Sequence, residues 1–126
     1  MSLRAPLGKV LGLGTARDGT DHWWMQRVSA VGLALLGLWF VGSLVSLDDL
    51  QYANAHAFIA APLNSVLMLL LCATLAYHSY LGVQVVVEDY VHAPGIKVVA
   101  LIASRFAHIV VAAASIYAIL RIGLGA

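Results

Sequence analysis

Long apolar runs alternate with short polar interruptions along this chain, and the lengths of the runs set the first reading. Three runs, about Val28 to Leu47, Leu63 to Val87 and Val98 to Leu120, hold 20 or more residues each. A helix of about 20 apolar residues crosses the hydrocarbon core of a bilayer. The pattern predicts an all-α membrane protein: three transmembrane helices in one domain over residues 1–126. Pro62 stands where the second helix would begin, a position at which the missing N–H costs nothing. Pro94-Gly95 punctuates the second connection. The first connection, Asp48 to His56, is polar and acidic and carries no Lys or Arg.

Composition strengthens this reading. The chain is 62% hydrophobic and 10% charged, with mean hydropathy +0.91. Soluble domains are about 45–50% apolar and about 25% charged. The net charge of +1 carries no basic patch for nucleic acid. The single cysteine, Cys72, lies in an apolar run and has no intrachain partner, so it reads as a small core residue. Leu7 to Leu13 is too short and too broken by glycine for a secretory signal.

Charge also orients the chain. Residues 1–21 read as a basic cytoplasmic tail with Arg4, Lys9 and Arg17, followed by Trp23 and Trp24 at headgroup level. The first connection has no basic residue and the second has Lys97. The positive-inside rule then puts the N-terminus and the Asp89–Tyr90 end in the cytoplasm and the C-terminus in the periplasm, against the lone dissent of Arg121. Small residues at helical spacing in the first span, Ala30 with Ala34 and Gly42 with Ser46, suit close contact with another helix.

Ionisable side chains at bilayer depth cost about 2.5–3.5 kcal/mol and usually have a use. His78, Arg105 and His108 are the deep ones. Thr74, His78 and Gly82 form an i, i+4 stripe, with room at Gly82 for something flat and bulky. Neutral His78 can ligate haem iron, or it can be a core histidine hydrogen-bonded between helices. His108 lies on a second stripe with Ala100, Ser104 and Ala112, at nearly the depth of His78. Two histidines at one depth can share a haem, or His108 can pair with a partner helix. Arg105 reads as a snorkelling or paired cation. Eleven residues beyond His78, on the same face and about 16 Å along the axis, Asp89 and Tyr90 offer an acceptor and a phenolic donor at the interface. They suit a quinone carbonyl, although tyrosine at an interface is also ordinary belt chemistry. Arg27 is an interfacial anchor or a bidentate partner for a carboxylate such as a haem propionate. His56 and His92 lie in connections.

Taken together, His22-Trp-Trp-Met-Gln-Arg-Val-Ser-Ala-Val31, His78-x-x-x-Gly82 and Glu88-Asp-Tyr90 resemble the small hydrophobic anchor subunit, the D-type subunit, of bacterial succinate dehydrogenase, complex II. The resemblance covers the whole chain. It implies that His78 is an axial ligand of haem b, shared with a histidine of a second, C-type anchor subunit. It implies that Asp89 and Tyr90 border the ubiquinone site and that Arg27 lies near the haem propionates. It further implies the bacterial inner membrane, a flavoprotein subunit and an iron–sulfur subunit as partners, and electron transfer from succinate to ubiquinone with no catalysis by this chain alone. Two other readings of the residues stay open: a self-contained b-type cytochrome using His78 and His108, and a haem-free structural anchor. A transporter is disfavoured, because no span contains an acidic residue.

Overall fold

The computed structural model describes residues 17–125, with side chains from residue 20 onward. The described residues form four helices and no strand: α1 (Arg17–Ser46), α2 (Tyr52–Ala60), α3 (Pro62–Tyr90) and α4 (Pro94–Gly123). The stretch with Arg4 and Lys9 lies outside the described residues. Helices α1, α3 and α4 are long and apolar enough to cross a membrane, with mean hydropathy of 2.1, 1.8 and 1.9 over their most apolar stretches. A helix satisfies its backbone polar groups internally, which is the condition for crossing lipid.

The helices extend beyond the apolar runs because a run stops where polarity starts, whereas a helix stops where its backbone is broken. Helix α1 begins eleven residues before Val28 and carries His22, Trp23, Trp24 and Gln26 as helical residues. Helices α3 and α4 both begin with proline in their first turn, after an extended residue, Ala61 or Ala93. The polar connection after α1 is shorter than the sequence pattern implies, since Tyr52 already opens α2. Before it, the Asp49 carboxylate accepts from the Gln51 backbone N–H at 3.0 Å and from Asn54 Nδ2 at 2.7 Å. At the far end of α2, Asn64 Nδ2 donates to the Phe58 carbonyl at 3.0 Å and the Ser65 hydroxyl donates to the Ile59 carbonyl. These bonds satisfy carbonyls that the end of a short helix leaves without partners. The body of α2 lies against α3 and α4, and the stack of Phe58 on Trp39, with centroids 5.9 Å apart, ties it to α1.

Helix α3 is central. It packs against α1 on one side and α4 on the other, and α1 does not approach α4. The partners run antiparallel: Gln26 and Ser29 meet His78, and Gly32 meets Thr74 further along. Gly123 at the end of α4 meets Ser65 at the start of α3. Three antiparallel long helices put residues 17 and 123 at opposite ends, and put Asp89, Tyr90 and Pro94 at the same end as the start of α1.

Two polar stripes mark the two packed faces. Thr74, His78 and Gly82 face α1, and Ala100, Ser104, His108 and Ala112 form the half-buried face of α4 toward α3. The small residues of the first span play a different part from the one their spacing suggests. Ala34, Gly42 and Ser46 are exposed, and a Cβ on Gly42 would meet nothing within 4 Å. Gly32 makes the close approach instead, with its Cβ position 3.5 Å from Thr74 Cγ2. Apolar side chains cover the outer faces: Leu35, Leu38, Val45, Val99 and Val110 are all exposed. Among the described residues only Ser29, Leu81 and Ile119 are buried. An open row of three helices lacks a core of its own. In lipid such helices associate through packing, small residues and interhelical hydrogen bonds, because burial of apolar surface supplies no drive there.

Candidate functional site

The site forms where the polar stripe of α3 meets a second stripe on α1. His22, Gln26 and Ser29 recur at i, i+4 and i+7, so they share one face of α1. That face looks at His78 and Gly82. Ser29 Oγ lies 2.9 Å from His78 Nδ1, and Gln26 Nε2 lies 3.4 Å from His78 Nε2.

One arrangement of protons satisfies these contacts together. The Ser29 hydroxyl donates to the Gln26 backbone carbonyl at 3.1 Å, its oxygen accepts the Nδ1–H of His78, and the His78 lone pair is then on Nε2. The Gln26 amide approaches it at 3.4 Å, long for a hydrogen bond. Gln26 Oε1 and His22 Nε2 are covered and have no partner among the described residues. The α1 face therefore holds one imidazole lone pair in weak contact and two orphaned polar atoms. Beside them a groove of about 410 Å³ opens between α1 and α3, lined by Met25, Ser29, Gly32, Ala73, Thr74 and Tyr77.

His108 is held differently. Its Nδ1 donates to the Ser104 carbonyl at 2.7 Å, since a carbonyl can only accept. Its Nε2 is therefore the acceptor, and the Ser79 hydroxyl donates to it at 3.1 Å. Tyr80 packs edge-on against the ring at 5.9 Å. His108 thus sits at the level of His78 but in the α3–α4 interface, with both nitrogens bonded. The structure places the two histidines on different interfaces rather than on one. Arg105, exposed, lines a groove of about 350 Å³ with Tyr77, Tyr80 and His108.

The remaining expected residues lie toward one end. Arg27 is exposed, and its guanidinium stands 5.5 Å over the Trp23 ring. This cation–π contact points it along the outside of α1. Asp89 and Tyr90 are exposed at the last turn of α3, Tyr90 by 77%. The turn beneath them is fixed by Lys97 Nζ donating to the Glu88 carbonyl at 2.9 Å and by Gln84 Nε2 donating to the Glu88 carboxylate at 2.8 Å. Beside Gly82, where the sequence implies room for something flat and bulky, the structure places the Gln26 side chain: an added Cβ would stand 3.7 Å from Gln26 Nε2, an ordinary contact.

Gln26, Ser29 and Ser79 escaped the sequence reading as partners of the histidines. A signal existed for the first two, because His22, Gln26 and Ser29 form a polar row at helical spacing. For Ser79 none existed, since it is one of many small residues in the spans. No group of three or more His, Cys, Asp or Glu residues among those described could hold a bare metal ion. Haem is a different case, because its macrocycle supplies four ligands and the protein needs to supply only axial ones. A half-buried imidazole with Nδ1–H anchored and Nε2 carrying the lone pair fits that requirement.

Comparison with known proteins shows the family. The family of succinate dehydrogenase/fumarate reductase transmembrane subunits matches residues 1–120. The chain is 30% identical over 116 residues to a succinate dehydrogenase hydrophobic membrane anchor subunit of Rickettsia bellii, covering 92% of this chain and 93% of the relative. It is 32% identical over 115 residues to the corresponding subunit of Paracoccus denitrificans, covering 91% and 88%. A succinate dehydrogenase membrane anchor subunit of Reclinomonas americana is 26% identical over 100 residues, covering 77% and 83%. With three helices long and apolar enough to cross a bilayer, the protein is a multi-pass membrane protein. The chain belongs to the succinate dehydrogenase/fumarate reductase transmembrane subunit family, among its hydrophobic membrane anchor subunits.

Proposed function

We propose that this chain anchors the flavoprotein and iron–sulfur subunits of succinate:ubiquinone oxidoreductase to the bacterial inner membrane and contributes to a haem b site and a ubiquinone site. The observation that carries the haem part is the placement of His78: Nδ1 is held 2.9 Å from Ser29 Oγ, and Nε2 meets only the Gln26 amide, at 3.4 Å. His78 would supply one axial ligand. When bound, haem b exchanges single electrons. The open row of helices supports a second ligand from a C-type anchor subunit. His108 is engaged through both nitrogens in the other interface, and the outer faces of α1 and α4 stay apolar and uncovered. Arg27 is proposed to reach a haem propionate by leaving its stack on Trp23.

Asp89 and Tyr90 are proposed to border the quinone. They project at the end of α3 that basic residues assign to the cytoplasm. The phenol would donate to a quinone carbonyl without burying a full charge, and the carboxylate would shape its surroundings. Residues 1–126 act in this reading as one anchor domain, and this chain does not bind succinate.

The experiment is a His78→Ala substitution in the complex purified from its native membrane. The low-spin haem spectrum should be lost or converted. An unchanged spectrum with all subunits present removes His78 from the site.

A further inference from the structure

Ser29 is the only buried polar residue among those described, at 7% exposure. It makes two contacts, and together they have one consequence. Its hydroxyl lies 3.1 Å from the Gln26 carbonyl one turn back, a group that can only accept. Its oxygen lies 2.9 Å from His78 Nδ1. When the hydroxyl donates within its own helix, the oxygen is left to accept the Nδ1–H, and the imidazole lone pair falls on Nε2.

We propose that Ser29 is a positioning residue for the haem ligand: it accepts the Nδ1–H of His78 and thereby presents Nε2 as the ligating nitrogen. This inference rests on the reading of His78 as a haem ligand. A ligating histidine commonly donates its other N–H to an oxygen acceptor, and this second bond fixes the tautomer, orients the ring and raises ligand basicity. Here the acceptor comes from α1 and the ligand from α3. The same contact that packs two helices sets the donor strength of the imidazole. A more basic imidazole favours ferric over ferrous iron, so the Ser29 bond lowers the haem reduction potential. Gln26 Nε2 lies 3.4 Å from His78 Nε2 and its Oε1 has no partner among the described residues, so a ligand taken up at Nε2 would displace only one long contact.

The test compares Ser29→Ala, Ser29→Thr and His78→Ala in the complete complex purified from native membranes. Haem is followed by low-temperature optical and paramagnetic resonance spectra and by redox titration. Ser29→Ala should keep a low-spin haem, raise its midpoint potential and move its ferric resonance signal. Ser29→Thr, which retains the hydroxyl, should restore both toward wild type. If Ser29→Ala does not assemble, Ser29→Cys decides by the same two measurements, since sulfur is a weak acceptor and the potential should again rise. Wild-type potential and spectrum in the Ala or Cys variant, with the low-spin signal lost in His78→Ala, overturn the role of Ser29 and leave the haem ligand standing. A low-spin signal that survives His78→Ala overturns the ligand itself, and the role of Ser29 with it.

Discussion

The Ser79 hydroxyl donates to His108 Nε2 across 3.1 Å, joining α3 to α4 one residue beyond the histidine that faces α1. Adjacent residues on a helix point about 100° apart. His78 and Ser79 therefore serve opposite neighbours, and the central helix carries one polar contact for each.

From this arrangement His108 is expected to be a structural histidine. A Ser79→Ala, His108→Ala double-mutant cycle should give a coupling of about 0.6 kcal/mol, with a ceiling near 1.7, as for other interhelical hydrogen bonds in membranes. Stability of the solubilised complex is the readout. The low-spin haem spectrum should be the same in His108→Ala as in wild type. Loss of the signal with the complex intact would make His108 a ligand and sink this assignment.

The glycines should differ in their tolerance of a methyl group. A Cβ at Gly123 would stand 2.6 Å from Ser65 Oγ and 3.3 Å from Ser65 Cβ, while the Ser65 hydroxyl is engaged with the Ile59 carbonyl. Gly123→Ala must displace the start of α3 or break that bond, at a cost of about 1–3 kcal/mol. At Gly32 the same methyl finds ordinary contact at 3.5 Å. Thermal unfolding of the two variants should separate them clearly. Equal midpoints would show that the α3–α4 end relaxes freely.

Tyr90→Phe keeps the ring and removes only the hydroxyl. If that hydroxyl donates to the quinone, its loss costs about 0.5–1.5 kcal/mol, or roughly twofold to tenfold in succinate:quinone activity. Succinate oxidation with a soluble dye should be unaffected. Tyr90 is already 77% exposed, so the substitution should leave folding alone. Wild-type rates in both assays would reduce Tyr90 to an interfacial anchor.

Orientation is open to direct measurement. The two ends of the described chain lie at opposite ends of the helix row, so the termini should report from opposite sides of the membrane. The basic tail predicts that the N-terminal side is cytoplasmic. Fusions of a cytoplasm-active and a periplasm-active reporter at each terminus should give opposite signals. The same signal at both termini would contradict a three-span topology.

The three long helices were legible because the requirement that produces them is one-dimensional. A bilayer imposes a length and an apolar composition on each crossing, and both are visible without knowing any neighbour. The family resemblance was legible for a similar reason: it rests on residues close together in the chain, His22 to Val31, His78 to Gly82 and Glu88 to Tyr90. Helix α2 was not visible. Its nine residues are held by Asp49, Asn64, Ser65 and Trp39, and three of these four lie outside the connection that the polar pattern marked.

The sequence likewise placed His78 and His108 at one depth, and depth was the most it could determine. Whether two rings at one depth meet depends on rotation about the helix axes, which is set by packing between helices. The tertiary structure turned His78 toward α1 and His108 toward Ser79. For His108 it also decided which nitrogen carries the proton, because the Ser104 carbonyl 2.7 Å from Nδ1 can only accept. The chain alone leaves both tautomers of each ring available, and only contacts made across a turn or a helix interface distinguish them.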